Sequence, residues 1–301
     1  MTGAGVPRRR GKLPKRRWAL SLMSIGAVLT LVSACGSPPP APTPLQAQSV
    51  PIQMNPPRAM WVLDGAGGEG SPTVFVAGDS LLAGSAWWPE NGGGVPPADL
   101  AASLGSSLSK RVYVEGAAGT TFRHWNTPGG LTWSTLENPT VNIPAGNLID
   151  TLSFLKPGTT VLALGTNDAI AMTGPGYDEA AMRAEINTSV TTAHLWSKCV
   201  FLVKPTDHIG NALTSKAANI KKVGDAMDSV AGEHANTFVL DWNAKYHQLD
   251  GPVDPLGWFL QPAPYLPDEV NPHLTLAGQL QYKNFITWEV SSWSFAAGCA
   301  S

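Results

Sequence analysis

Four short stretches of this chain hold residue types that together could carry out acyl transfer. Gly78-Asp79-Ser80 ends an apolar run, Gly116-Ala117-Ala118-Gly119-Thr120 ends a second, and Gly165-Thr166-Asn167-Asp168 ends a third. Far downstream comes Asn271-Pro272-His273-Leu274-Thr275. Ester hydrolysis by a serine needs a hydroxyl, a base to take its proton, and donors aimed at the oxyanion of the tetrahedral intermediate. Ser80 is the candidate nucleophile and His273 the candidate base. The backbone N–H groups of Ser80 and Gly119 and the carboxamide of Asn167 are the candidate oxyanion donors. Glycine lets the backbone come close to a reacting centre, and an amide offers an NH2 that a carboxylate lacks. Singly, Gly78 and Asp79 are what any tight turn uses. The chemistry depends on the four stretches being brought together.

That task falls to the elements that precede them. Five short aliphatic runs, 73–77, 111–115, 160–164, 199–204 and 238–241, each give way to Gly, Pro or polar residues, as interior parallel strands do. Helical periods lie between them. Leu100, Leu104 and Leu108 share one face, as do Met182, Ile186, Val190 and Ala193, and as do Leu213, Ala217, Ile220, Met227 and Val230. A last helix from about Leu276 carries Leu280, Phe285 and Val290. Strand and helix in alternation predict an α/β fold, a three-layer α/β/α sandwich around a five-stranded parallel sheet. Ligands of such sheets sit beyond the carboxyl ends of the strands, which sends the first three stretches to one edge.

The serine, glycine, asparagine and histidine blocks, in this order and over nearly all of the chain after residue 60, resemble the SGNH (GDSL-type) hydrolases. The resemblance implies a flavodoxin-like sandwich and a metal-free, cofactor-free, two-step acyl transfer to water through a serine ester. The Gly-x-Ser-x-Gly elbow of α/β-hydrolases is absent. The last block departs from the family pattern. The family's triad aspartate stands three residues before the histidine, where this chain has Val270; Asp268 and Glu269 lie just upstream. Asp268 is the expected third member of the triad. Two alternatives stay open: a Ser-His dyad, or an alignment that puts Asn271 in the histidine's place and leaves an inactive relic. His208, after the fourth run, is a rival base.

Blander roles are expected elsewhere. Asp79 should shape its turn and Asp168 hold the loop of Asn167, while His124, His194, His234 and His247 read as surface or structural histidines. Trp87 and Trp88 follow the nucleophile and precede a glycine-rich stretch, so they either bind substrate or pack under the loop; Trp125 and Trp133 invite the same two readings.

The N-terminus follows different rules. Seven of the chain's 20 basic residues and none of its 22 acidic ones lie in residues 1–34, where a basic region precedes a 17-residue apolar stretch. Val32-Ser33-Ala34-Cys35 resembles the lipobox of bacterial lipoproteins, with Cys35 the lipidated residue. Arg16-Arg17 also loosely resembles a twin-arginine export signal. Residues 1–34 are therefore expected to be a signal peptide and 35–60, with eight prolines from 36 to 60, an extended tether. Residues 61–301 are the expected hydrolase domain. The chain beyond residue 34 carries 13 Lys and Arg against 22 Asp and Glu, a formal net charge of −9, which makes nucleic acid a poor partner. With 43% hydrophobic and 14% charged residues, the chain is not of the disordered class. Cys199 and Cys299 could form a disulfide in an oxidising compartment, the alternative being a buried thiol, and the cysteine spacing fits no zinc site.

The combined expectation is an exported serine esterase or deacylase, lipid-anchored to the outer face of a bacterial membrane. Its expected substrates are acyl esters, including O-acetyl groups on envelope glycans. An O-acyltransferase, or a non-catalytic lipoprotein that binds a glycan or protein partner in the same cleft, are the competing readings.

Overall fold

A computed structural model describes residues 48–49, 58–63, 73–83, 97–117, 119–128, 136–137, 142–143, 147–207, 214–250 and 274–299. In chain order these form β1 (Gln48–Ser49), β2 (Arg58–Leu63), β3 (Thr73–Gly78), α1 (Ser80–Ala83), α2 (Pro97–Leu108), β4 (Arg111–Ala117), α3 (Phe122–Asn126), β5 (Leu136–Glu137), β6 (Asn142–Ile143) and α4 (Leu148–Leu155). There follow β7 (Thr159–Ala163), α5 (Thr166–Ala171), α6 (Glu179–Ala193), β8 (Cys199–Val203), α7 (Thr214–Glu233), β9 (Thr237–Leu240), α8 (Trp242–Asp250) and α9 (Leu276–Ala296).

The main sheet runs β1-β2-β4-β3-β7-β8-β9. Its last five strands are parallel and are the five apolar runs of the sequence, each displaced by no more than two residues at either end. The central strands are buried almost throughout, because helices cover both faces and leave no residue facing water. One face carries Phe75, Ala77, Tyr113 and Leu162 against Met182, Ile186 and Val190 of α6 and Met227 and Val230 of α7. The other carries Val74, Val76, Val112 and Val114 against Leu100, Leu104 and Leu108 of α2 and Phe285, Ile286 and Val290 of α9. Three layers result, as the alternation of strand and helix predicts.

The structure differs from the sequence reading at three points. The main sheet has two further strands: β2 pairs antiparallel with β4 along Arg58↔Ala117 to Leu63↔Val112, and β1 pairs with β2. Pairing therefore begins inside the stretch expected to be a tether, because an antiparallel edge strand is held by backbone hydrogen bonds and needs no long aliphatic run. Second, Leu280 is exposed although Phe285 and Val290 are buried, since α9 turns that residue away from the sheet. Third, β5 and β6 form a small separate ladder between α3 and α4. Cys199 at the start of β8 and Cys299 after α9 are joined in a disulfide, with Cα atoms 5.8 Å apart. Among the described residues, no helix is long and apolar enough to cross a membrane.

Candidate active site

Strand register sets the geometry of the site. Gly78 pairs with Gly116 on one side and with Ala163 on the other, so β3, β4 and β7 end level with one another. Ser80 lies two residues beyond Gly78, Gly119 three beyond Gly116, and Asn167 four beyond Ala163. These three candidate residues therefore emerge from adjacent strands at the same carboxyl edge.

Backbone geometry explains the glycines. A Cβ on Gly78 would stand 2.6 Å from Cβ of Leu82 and 2.9 Å from the carbonyl oxygen of Ala163, so only glycine lets the chain fold from β3 into α1 here. Gly165 has φ +120°, where side chains are strained, and a Cβ there would meet Val223 at 2.9 Å. Ser80 opens α1 and is partly exposed; Gly119 is exposed, with φ 73°.

Hydrogen bonds lock the three loops together. Asp79, 1% exposed, accepts the N–H of Leu81 at Oδ1 (2.9 Å) and the Asn167 carboxamide at Oδ2 (3.4 Å). Asn167 Nδ2 also donates to the Thr120 carbonyl at 3.2 Å, so one carboxamide touches both neighbouring loops. Thr120 Oγ1 donates to the Ala117 carbonyl (2.6 Å) and accepts from Nε1 of Trp125 (3.0 Å). Trp125 is fully buried with its ring 6.5 Å from that of Phe75, so of its two readings the structure selects packing.

Asp168 is fully buried beneath the same edge. Its carboxylate accepts the N–H of Phe122 (3.1 Å to Oδ1 and 3.3 Å to Oδ2) and the hydroxyl of Tyr177. Burial pushes the pKa of Asp168 up to about 7, against the lowering effect of the Tyr177 and Phe122 bonds. Asp79 is likewise pushed up to about 7, first by burial and then by the nearby charge of Asp168, against the lowering bond from Leu81. Behind Asp79 stands Tyr282 of α9, buried, its hydroxyl pKa raised by burial and by the charge of Asp79. Leu274, the residue after the candidate base, is buried on the same face of the sheet as Leu81, Leu82 and Tyr282.

Three further histidines, His124, His194 and His234, fit structural roles. His124 bonds the N–H and hydroxyl of Thr121 at the start of α3; His194 bonds Thr237, and His234 bonds Asn187. His273, Asp268, Glu269, His208, Trp87, Trp88, Trp133 and Cys35 lie outside the described residues, as does the side chain of His247. Among the described residues, no group of three or more His, Cys, Asp or Glu could hold a metal ion. Sequence reasoning missed the acceptor that Asp79 offers to Asn167, and it missed Tyr177 altogether. Tyr177 directly follows the Gly174-Pro175-Gly176 turn, nine residues after Asp168, and no periodicity connects the two.

No protein-family model matches the sequence, and no curated protein matches it. Solved structures do match its fold. A catalytic variant of the acetylxylan esterase Axe2 from Geobacillus stearothermophilus superposes with TM-score 0.51 at 16% identity, over 76% of this chain and 96% of that one. A tryptophan variant of the same esterase gives 0.52 at 17% identity, over 76% and 97%. The C-terminal catalytic domain of the peptidoglycan O-acetyltransferase OatA from Streptococcus pneumoniae gives 0.44 at 16% identity, over 74% and 94%. The chain thus shares the acetylxylan esterase's fold over nearly the whole length of that enzyme.

Proposed function

We propose that this chain is a serine esterase or deacylase of the SGNH type, with Ser80 as nucleophile and His273 as base. The observation that carries the reading is the convergence of Ser80, Gly119 and Asn167 at the level ends of three adjacent parallel strands, with the Asn167 carboxamide bridging the other two loops. A fold shared with an acetylxylan esterase supports it.

In this mechanism His273 takes the proton of Ser80 as Oγ attacks the acyl carbonyl, and the negative charge develops on the former carbonyl oxygen. The N–H groups of Ser80 and Gly119 and one N–H of Asn167 stabilise that oxyanion. Asn167 reaches it by giving up its long 3.4 Å contact to Asp79 while keeping the Thr120 carbonyl. His273 returns the proton to the leaving alcohol as the C–O bond breaks. Water then attacks the serine ester and loses one proton to His273, which passes it to Ser80 Oγ as the acyl C–Oγ bond breaks, freeing the carboxylic acid and restoring the serine hydroxyl. Asp268 fixes the imidazole tautomer and stabilises the imidazolium.

The substrate class is acyl esters, with O-acetyl groups on envelope glycans first among them and Trp87 and Trp88 as binding residues. The chain is exported and lipidated at Cys35, which holds the domain at the outer face of the bacterial membrane. Release of acetate from p-nitrophenyl acetate and from O-acetylated xylan and peptidoglycan by the full-length chain in detergent tests the reading. Turnover lost in both Ser80→Ala and His273→Ala is the expected result; undiminished turnover in either refutes the assignment. Cys35→Ser should move the chain from the membrane to the soluble fraction.

A further inference from the structure

The turn that follows Gly119 is gripped from two consecutive residues of α5. Asn167 bonds the carbonyl of Thr120, and Asp168 bonds the N–H of Phe122, so both ends of the turn that follows Gly119 are tied to the element that carries the catalytic amide. The orientation of that carboxylate is held by the hydroxyl of Tyr177, which donates to the same oxygen, Oδ1, that lies 3.1 Å from the Phe122 nitrogen. Tyr177 is itself held, buried under the guanidinium of Arg123 4.4 Å from its ring centroid, while Arg123 bonds Glu185 and the Gly176 carbonyl.

We propose that Tyr177 and Asp168 are positioning residues: the Tyr177 hydroxyl orients the Asp168 carboxylate, which holds the turn after Gly119 at the distance from Asn167 that lets both donate to one oxyanion. Neither side chain touches the reacting atoms. Their contribution is alignment, to which an oxyanion site is sensitive because its donors must point at one developing charge. The catalytic part of the inference rests on the proposed esterase reading; the coupling of Tyr177 to the turn does not.

Tyr177→Phe tests it, since the ring and its contact with Arg123 survive and only the hydroxyl is lost. Two readouts on the full-length chain in detergent are needed: hydrogen exchange of peptides spanning Phe122, and steady-state kinetics with p-nitrophenyl acetate. Exchange at Phe122 about tenfold faster, kcat about tenfold lower and KM unchanged is the expected result, the size expected for losing one hydrogen bond to a charged group. Asp168→Asn, which keeps the shape but weakens the acceptor, should change both readouts in the same direction. Unchanged exchange at Phe122 in Tyr177→Phe overturns the inference whatever the kinetics, and so does faster exchange with undiminished kcat. An inactive wild type would instead refute the esterase reading, and exchange would still decide whether Tyr177 holds the turn. A variant that loses its thermal transition is replaced in this comparison by Asp168→Asn.

Discussion

Replacing Asp79 by Asn should make the protein more stable at pH 8 while slowing it as an enzyme. Asp79 is buried at the end of β3, and its pKa rises from 3.8 to about 7 on folding, chiefly through loss of hydration. Between those values the folded state keeps a proton that the unfolded chain releases, so stability falls as pH rises from about 4 to 7 and then levels off. Roughly three pK units at about 1.4 kcal/mol each make the ionised carboxylate cost about 4 kcal/mol at pH 8. The isosteric amide removes that penalty and can still accept the Leu81 N–H, but its own NH2 then faces Nδ2 of Asn167, at a cost of about 1 kcal/mol. The net gain is about 3 kcal/mol at pH 8, and it disappears below about pH 4, where the carboxyl is protonated in both states. Urea unfolding followed by tryptophan fluorescence from pH 4 to 8 measures it, with acetate release measured alongside. Asp168, raised to about 7 as well, keeps its own loss of stability over the same range in the variant, so an Asp79→Asn variant that is less stable than wild type at pH 8, or whose loss between pH 4 and 7 is no smaller than that of wild type, would refute the reasoning.

Further expectations concern the frame around the site. The Cys199–Cys299 bridge closes a loop with a sequence separation of 100, for which chain entropy gives about 4.7 kcal/mol and measured bridges commonly give about 2–4. Cys299→Ser should therefore lower the melting temperature by about 5–15 °C, read by calorimetry, and a reductant should have the same effect on wild type. At Gly165, alanine meets both a strained φ of +120° and Val223 at 2.9 Å. Gly165→Ala should lose about 1–3 kcal/mol in urea unfolding and displace Asn167, with a matching fall in acetate release.

The parts of this molecule legible in its sequence are those where composition and geometry coincide. The runs at Thr73–Gly78 and Cys199–Val203 are aliphatic because helices cover both faces, and each ends where the chain must turn, so small and polar residues mark the site edge. Asp79 and Asp168 were readable as turn-shaping acids from their position beside Ser80 and Asn167. Their partners were not, because Phe122 lies 46 residues before Asp168 and a bond between a carboxylate and a backbone N–H leaves no trace in residue type. Arg58–Leu63 follows Pro56-Pro57, whose local meaning is an extended linker, while its pairing with β4 is a tertiary event. The bridge between Cys199 and Cys299 was similarly open, since cysteines so distant in sequence meet only when α9 returns along the sheet.

The most direct test of the central claim is covalent labelling of the full-length chain by a fluorophosphonate probe, comparing wild type with Ser80→Ala and His273→Ala. Labelling of wild type at Ser80, absent from both variants, is the predicted result: it requires a serine activated at this sheet edge by that histidine. Folded wild type that takes up no probe, or His273→Ala labelled as fast as wild type, would contradict the account.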